Sequence, residues 1–156
     1  MKTRILAYLI GVLLLGGSGL QSLAADKKAA KPASPPGFSK EEAETALAIA
    51  KTFIVEVDKE DGHPWGYFSP LAQKQTSEAQ WKVAMDTLKA ISGRVIRREN
   101  LVWAYLDRMP DAPPGRYFIF DFDSKFERFA MNERVVMVQE GATWKVAGYF
   151  RTKRVP

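Results

Sequence analysis

The hydrophobic period of the chain changes at Gly93, and this change limits the available folds more than any other feature. Before Gly93, apolar residues recur at the spacing of amphipathic helices. After Gly93, they alternate with polar residues in four segments, as half-buried strands do. A run of helices followed by a run of strands predicts an α+β domain rather than alternating units around a parallel sheet.

The helical half contains two clear helix starts. Ser39 and Glu42 have the spacing of a capping box, with Phe38 in front of it, and they predict a helix from about Lys40 to Asp58. A short helix or turn is expected over residues 65–75. A further helix is predicted to begin at residues 76–78 and to end at Gly93.

The alternating half is divided by turn sequences. Residues 110–115 read PDAPPG, which a central strand cannot contain, and Gly141-Ala142 suits a hairpin. Short connections favour antiparallel neighbours. We predict two or three helices packed on one face of a four-strand antiparallel meander, in a single domain over residues 39–153. The predicted strands cover residues 94–107, 116–126, 129–140 and 143–153.

Alternation also predicts which strand residues face the helices. One face of the second strand carries Phe118, Phe120, Phe122 and Phe126. In the last strand, simple alternation places Trp144, Val146, Gly148 and Phe150 on the same side. This shared face is the expected core.

The first 25 residues have the three parts of a secretory signal. Lys2 and Arg4 precede an apolar run over residues 5–15, which is too short to span a bilayer, and small residues follow at 22–25. We predict a signal peptide over residues 1–25 and a disordered, lysine- and proline-rich leader over residues 26–38. The product is expected to be soluble, and periplasmic or secreted.

Composition excludes several classes of function. The formal net charge of +5 is spread along the chain rather than clustered, so we expect no nucleic-acid partner. There is no cysteine, and His63 is the one histidine. Disulfides, lipid attachment through cysteine, zinc or copper sites of ordinary composition and the usual nucleophile–base pairs are thereby excluded. We expect no catalytic residue, no metal and no cofactor, and no stable membrane insertion after cleavage.

A small set of polar and aromatic residues could line a pocket or a partner surface. Glu133 is a candidate ion-pair partner for either Arg97 or Arg98, of which Arg98 lies on the core face if Ile96 and Val102 do. A salt bridge fixing strand register is favoured over a ligand site. Asp121 and Asp123 fit the solvent face of a strand. The six candidates are Arg98, Trp103, Tyr105, Asp107, Glu133 and Tyr149.

Several of these segments resemble a known family when they are taken together. They are the Pro113-Pro114-Gly115-Arg116-Tyr117 turn, Phe126, Glu133, the Trp144–Tyr149 segment, Trp81 and the stretch from Gly93 to Arg98. In order and spacing they resemble a bacterial exported family, number four-thousand-and-nineteen in the series of domains of unknown function. The resemblance implies a fold and a compartment but no activity. The architecture is also similar to the cone fold of nuclear transport factor two.

Two hypotheses of function remain open from the sequence. The first is an exported soluble domain that binds a small molecule or an envelope protein without catalysis, because no catalytic constellation accompanies its many aromatic residues. Trp103 and Tyr105 are candidates for a protein-binding face in this case. The alternative is a cone-fold enzyme that uses a pocket carboxylate and a tyrosine, for which Asp107, Glu133 and Tyr149 are the candidates.

The export hypothesis predicts a specific product. Cleavage is expected after Ala24 or Ala25, because the small residues there follow the apolar run. The intact mass of the protein recovered from the periplasm or medium would measure this. A membrane-bound product that keeps residues 1–24 would contradict the prediction.

Overall fold

The computed structural model describes residues 37–110 and 112–154, so the predicted signal peptide and most of the predicted leader lie outside the described residues. Three α-helices and one 3₁₀ helix precede four strands, which confirms the α+β prediction. In chain order the elements are α1 (Lys40–Asp58), the 3₁₀ helix (Pro64–Tyr67), α2 (Pro70–Gln75), α3 (Glu78–Ser92), β1 (Val95–Leu106), β2 (Tyr117–Phe126), β3 (Ala130–Glu140) and β4 (Thr143–Lys153). Within these described ranges no helix has both the length and the hydropathy of a membrane span.

Local capping fixes where the helices begin and end. The Ser39 hydroxyl accepts from the Glu42 amide at 3.1 Å, and the Glu42 carboxylate accepts from the Ser39 amide at 2.7 Å. This reciprocal pair satisfies two donors that the first turn of a helix leaves free. Ser77 and Gln80 form the same capping box at α3. Helix α3 ends at Gly93, where φ is +74°, a conformation that glycine adopts without a steric penalty.

The four strands form one antiparallel meander in the order β1-β2-β3-β4. Beyond β4, Phe68 makes a single parallel bridge to Val146, and the Ser69 amide donates to the Val146 carbonyl at 2.8 Å. The segment that leads into α2 therefore lies along the β4 edge of the sheet.

The core lies between α1 and one face of the sheet, which we call the inner face. Phe53 of α1 is fully buried and its ring lies 5.3 Å from the rings of both Phe68 and Tyr149. Trp81 of α3 extends this cluster, with its ring 5.4 Å from that of Phe68. Without a disulfide, this aromatic packing is a main source of stability.

A bulge in β4 corrects the predicted alternation of that strand. Met137 pairs with Val146 whereas the adjacent Val136 pairs with Gly148, so Ala147 is an extra residue. Trp144 and Val146 face inward as predicted, but after the bulge Tyr149 and Arg151 face inward instead. The prediction that Gly148 and Phe150 belong to the core face was wrong, and they lie on the opposite, outer face.

Irregularities in β1 change the predicted faces of that strand as well. Its register with β2 shifts twice, and Asn100 has a positive φ of 49°. Ile96 and Val102 are 59% and 66% exposed, so they do not face the core with Arg98. Trp103 pairs with Phe120 and therefore belongs to the inner face.

Trp144 is the residue on which we test the core. Its ring is buried and lies 4.8 Å from the ring of Phe118. Trp144→Ala is expected to lower the free energy of unfolding by about 3–5 kcal/mol, because it leaves a large cavity. Urea titration measures this change. Val83→Ala, on an exposed position of α3, is the control and should change stability by less than about 0.5 kcal/mol; equal effects of the two substitutions would contradict the assigned core.

Candidate functional site

Two features are candidates for function, one on each face of the sheet. The first is a group of four charged residues on the inner face, which we call the charge cluster: Asp58, Arg98, Glu133 and Arg151. Asp58 is the last residue of α1, and the other three come from β1, β3 and β4. Glu133 lies opposite Arg151 in the sheet, so strand register alone brings those two together.

Glu133 is at the centre of the charge cluster and is fully buried. Its Oε2 accepts from Arg98 Nε at 2.6 Å and from the Ser124 hydroxyl. Its Oε1 accepts from Arg151 Nε at 3.0 Å and from the Tyr149 hydroxyl. Both carboxylate oxygens are therefore occupied by donors of the protein itself.

Asp58 joins the cluster from the helix side. Its Oδ2 accepts from Arg98 Nη1 at 2.7 Å, and its Oδ1 accepts from Arg98 Nη2 at 3.0 Å and from Arg151 Nη2 at 3.3 Å. Arg98 thus binds a helix carboxylate and a sheet carboxylate with one planar group, as guanidinium geometry permits. The contacts connect the C-terminus of α1 to three strands.

The protonation states follow from these contacts. Burial raises the pKa of the Glu133 carboxyl, but Arg151 and Arg98 outweigh it and hold that pKa below its ordinary value. Burial and the charge of Glu133 raise the pKa of the Tyr149 phenol well above its usual range. The cluster pairs two acidic side chains with two guanidinium groups, beside a phenol that stays neutral. It is electrically balanced and has the properties of a structural network.

The structure brings together only part of the predicted set of site residues. Arg98, Glu133 and Tyr149 meet in the charge cluster. Of the two arginines predicted as possible partners of Glu133, Arg98 forms the ion pair, whereas Arg97 pairs with Glu99. Asp107 is exposed and follows the opposite end of β1. Trp103, 47% exposed, packs on Phe38 with a ring distance of 5.7 Å.

Tyr105, the sixth predicted residue, also lies away from the charge cluster. Its hydroxyl accepts from Arg116 Nε at 3.1 Å, and its ring lies 4.6 Å from that of Phe38. Tyr105 is opposite Phe118 in the sheet, whereas Arg98 is opposite Ser124, six residues further along β2. Phe38 partly covers Trp103 and Tyr105 and makes them an extension of the core.

The second feature is a groove on the outer face of the sheet, which we call the outer groove. Its volume is about 510 Å³. Most of its lining is apolar and comes from three strands, α2 and the loop between β1 and β2. The lining includes Leu71, Pro113, Tyr117, Ile119, Val136, Val138, Ala147 and Phe150.

Three local interactions shape the outer groove. The bond between Ser69 and Val146 places α2 beside β4. The Tyr117 hydroxyl donates to the Pro113 carbonyl at 2.6 Å and fixes the loop over the sheet. A Cβ at Gly148 would lie 2.9 Å from the ring of Phe150, so glycine there allows that ring to lie close to the strand.

The sequence contained a signal for this groove that alternation analysis did not use. The outward positions of β2 and β3 are apolar near the β3–β4 hairpin, up to the terminal Glu140, and are polar or charged at the other end of the sheet. At the charged end, Asp121 and Asp123 lie on the solvent side, as predicted, in ion pairs with Arg134 and Arg154. An outward face that is apolar along half its length indicates a covered or binding surface rather than plain solvent.

The parts of the chain that the structure describes lack the set of side chains that a metal ion requires as ligands. No group of three or more histidine, cysteine or acidic side chains is placed to hold a metal ion there.

The charge cluster predicts a large effect of neutralising Glu133. Glu133→Gln is expected to destabilise the fold by about 3–5 kcal/mol, because two buried guanidinium groups lose their shared carboxylate. Asp123→Asn is the control: its ion pair with Arg154 at 3.1 Å is on the outer face and should contribute less than about 1 kcal/mol. Urea titration of both variants measures the difference.

The same variant has a second readout in its pH dependence. In the folded state the pKa of Glu133 is depressed below its ordinary value of 4.5. The contribution of this carboxylate to the free energy of unfolding is therefore present above pH 4.5 and is lost as the pH falls through the folded pKa. Glu42, whose pKa hydrogen bonds from Arg116 hold at about 2, contributes with the same sign. In Glu133→Gln the free energy of unfolding should therefore fall less steeply as the pH is lowered, although it should still fall. A variant as stable and as acid-sensitive as the wild type would contradict the structural role.

Comparison with known proteins agrees with the resemblance found in the sequence. Residues 49–149 match the family described as protein of unknown function (DUF4019). No curated protein matches the chain, and no solved structure matches it either, so the similarity to the cone fold of nuclear transport factor two stays a prediction. The matched segment runs from the middle of α1 to Tyr149 and includes most of both candidate features, but Phe150 of the outer groove and Arg151 of the charge cluster lie just beyond it. The chain belongs to the DUF4019 family.

Proposed function

We propose that the protein is an exported, non-catalytic binding module of the cell envelope, and that it binds a small apolar molecule in the outer groove. The observation that carries this proposal is an apolar groove on the sheet face that α1 does not cover. Tyr117 and Val136 are buried there, although they point away from the main core.

The size and shape of the outer groove favour a small molecule over a protein surface. Its volume of about 510 Å³ lies within the range of small-molecule sites, which is roughly 300–1,000 Å³. Parts of α2 and of the loop between β1 and β2 line the groove together with the apolar strand residues. A concave apolar site of this kind surrounds a ligand, whereas protein-binding patches are usually flatter.

The contacts of Glu133 and Tyr149 support binding rather than catalysis. The Glu133 carboxylate accepts from four side chains, and neither it nor Tyr149 lines the outer groove. A general base must reach the proton that it removes, and this carboxylate has no lone pair directed at the groove. The structural network and the apolar groove are on opposite faces of the sheet.

The envelope location in this proposal is supported by the tripartite sequence of the first 25 residues. Those residues lie outside the described part of the chain.

A groove-filling substitution tests the binding site. Val138→Phe adds volume inside the groove, so it should weaken binding of the neutral fluorescent probe N-phenyl-1-naphthylamine by about tenfold. The matched control is Val83→Phe on α3, where the side chain is 67% exposed, and it should leave affinity unchanged. Fluorescence titration measures both, after thermal unfolding has shown that each variant is folded.

A second variant keeps the test decisive if Val138→Phe does not fold. Leu71→Ala removes apolar surface from the α2 side of the groove without adding volume, and it should also weaken probe binding. Wild-type protein that does not bind the probe, or groove variants that bind as tightly as the control, would contradict the proposed site.

A further inference from the structure

We propose that the ligand of the outer groove is an apolar amine, and that Glu140 binds its protonated nitrogen at the hairpin end of the groove. This inference rests on the proposed function and adds the chemical class of the ligand. The argument is one of charge complementarity within the groove.

The positive charge that lines the groove is already paired. Among the described lining residues, the charged ones are Arg134 and Glu140. Arg134 donates to Asp121 through Nε at 2.7 Å and through Nη2 at 2.9 Å, a two-point contact on the outer face. Asp121 neutralises this guanidinium, so an anionic ligand group would gain less from it than from an unpaired cation.

The acidic side chain that lines the groove, Glu140, is by contrast unpaired among the residues that the structure describes. Glu140 ends β3 and lies on the outer face with Val136 and Val138. Its side chain makes no hydrogen bond or ion pair with the residues that the structure describes. Arg116, next to Gln139, directs its guanidinium to Glu42 instead. On the outer face of β4, Lys145 lies opposite Val138, but its Nζ donates to the Gly66 carbonyl at 3.2 Å.

An aromatic ring lies close enough to this carboxylate to be affected by its charge. Tyr117 is buried in the groove, and burial together with the charge of Glu140 raises the pKa of its phenol above the ordinary value, so the ring stays neutral. Phe150 lines the groove further from the hairpin, because it pairs with Arg134 whereas Glu140 pairs with Thr143. Aromatic faces and a carboxylate both attract an ammonium group, and the attraction grows when the site is desolvated.

The same arrangement disfavours anionic and uncharged ligand head groups. A carboxylate on an apolar ligand would lie against Glu140 with like charge. An uncharged ligand that covers Glu140 would remove water from the carboxylate without replacing its hydrogen bonds, which costs free energy. A protonated amine is the head group that satisfies it.

Three probes of equal chain length separate these cases. Octylamine, octanol and octanoate are titrated against the protein at neutral pH, where the amine is protonated, and each displaces N-phenyl-1-naphthylamine. We expect octylamine to bind about tenfold more tightly than octanol, as a charge-assisted hydrogen bond permits, and octanoate to bind most weakly. Glu140→Gln should remove the preference for the amine without weakening octanol binding, because octanol no longer covers a carboxylate.

Glu99→Gln is the matched control, because Glu99 is an exposed carboxylate on β1 that does not line the groove. Wild-type protein that binds octylamine no more tightly than octanol, or a preference that survives Glu140→Gln, would overturn this inference and leave the apolar site intact. If neither the fluorescent probe nor any of the three ligands binds, the proposed function fails together with it.

Discussion

The guanidinium group of Arg98 lies between Asp58 at the end of α1 and Glu133 in the middle of the sheet, and the position of the long helix depends on it. Arg151 completes the arrangement from β4 and lies 4.6 Å above the ring of Phe126. Because the charges balance and every carboxylate oxygen has a donor, the network is compatible with burial. Removing one member would leave unpaired charge in the core, so the cluster constrains how α1 meets the strands.

The bulge at Ala147 connects the two candidate features. One extra residue in β4 turns Tyr149 and Arg151 inward, where they bind Glu133, and turns Phe150 outward, where it lines the outer groove. A regular strand would place Phe150 in the core and Arg151 in solvent. The same local irregularity therefore supplies a cation to the inner network and an aromatic ring to the outer site.

Sequence reasoning predicted the features that depend on neighbouring residues and missed those that depend on pairing. The capping box at Ser39, the bounds of α1 and the hairpin at Gly141 are encoded within a few residues, and they were predicted correctly. The bulge depends on how β4 pairs with β3, which alternation within one strand does not reveal. An ion pair of Glu133 with either Arg97 or Arg98 was predicted, but the links to Asp58 and Arg151 join positions far apart in the chain.

The central claim is that the inner face holds the fold together while the outer face binds the ligand. Amide NMR spectra recorded during titration with N-phenyl-1-naphthylamine test it directly, because the two faces carry different residues of the same strands. The account predicts that the largest shift changes fall on Ile119, Val136 and Phe150, with Glu133 and Arg151 little affected. Shift changes centred on Glu133 and Arg151, with the outer groove unperturbed, would contradict it.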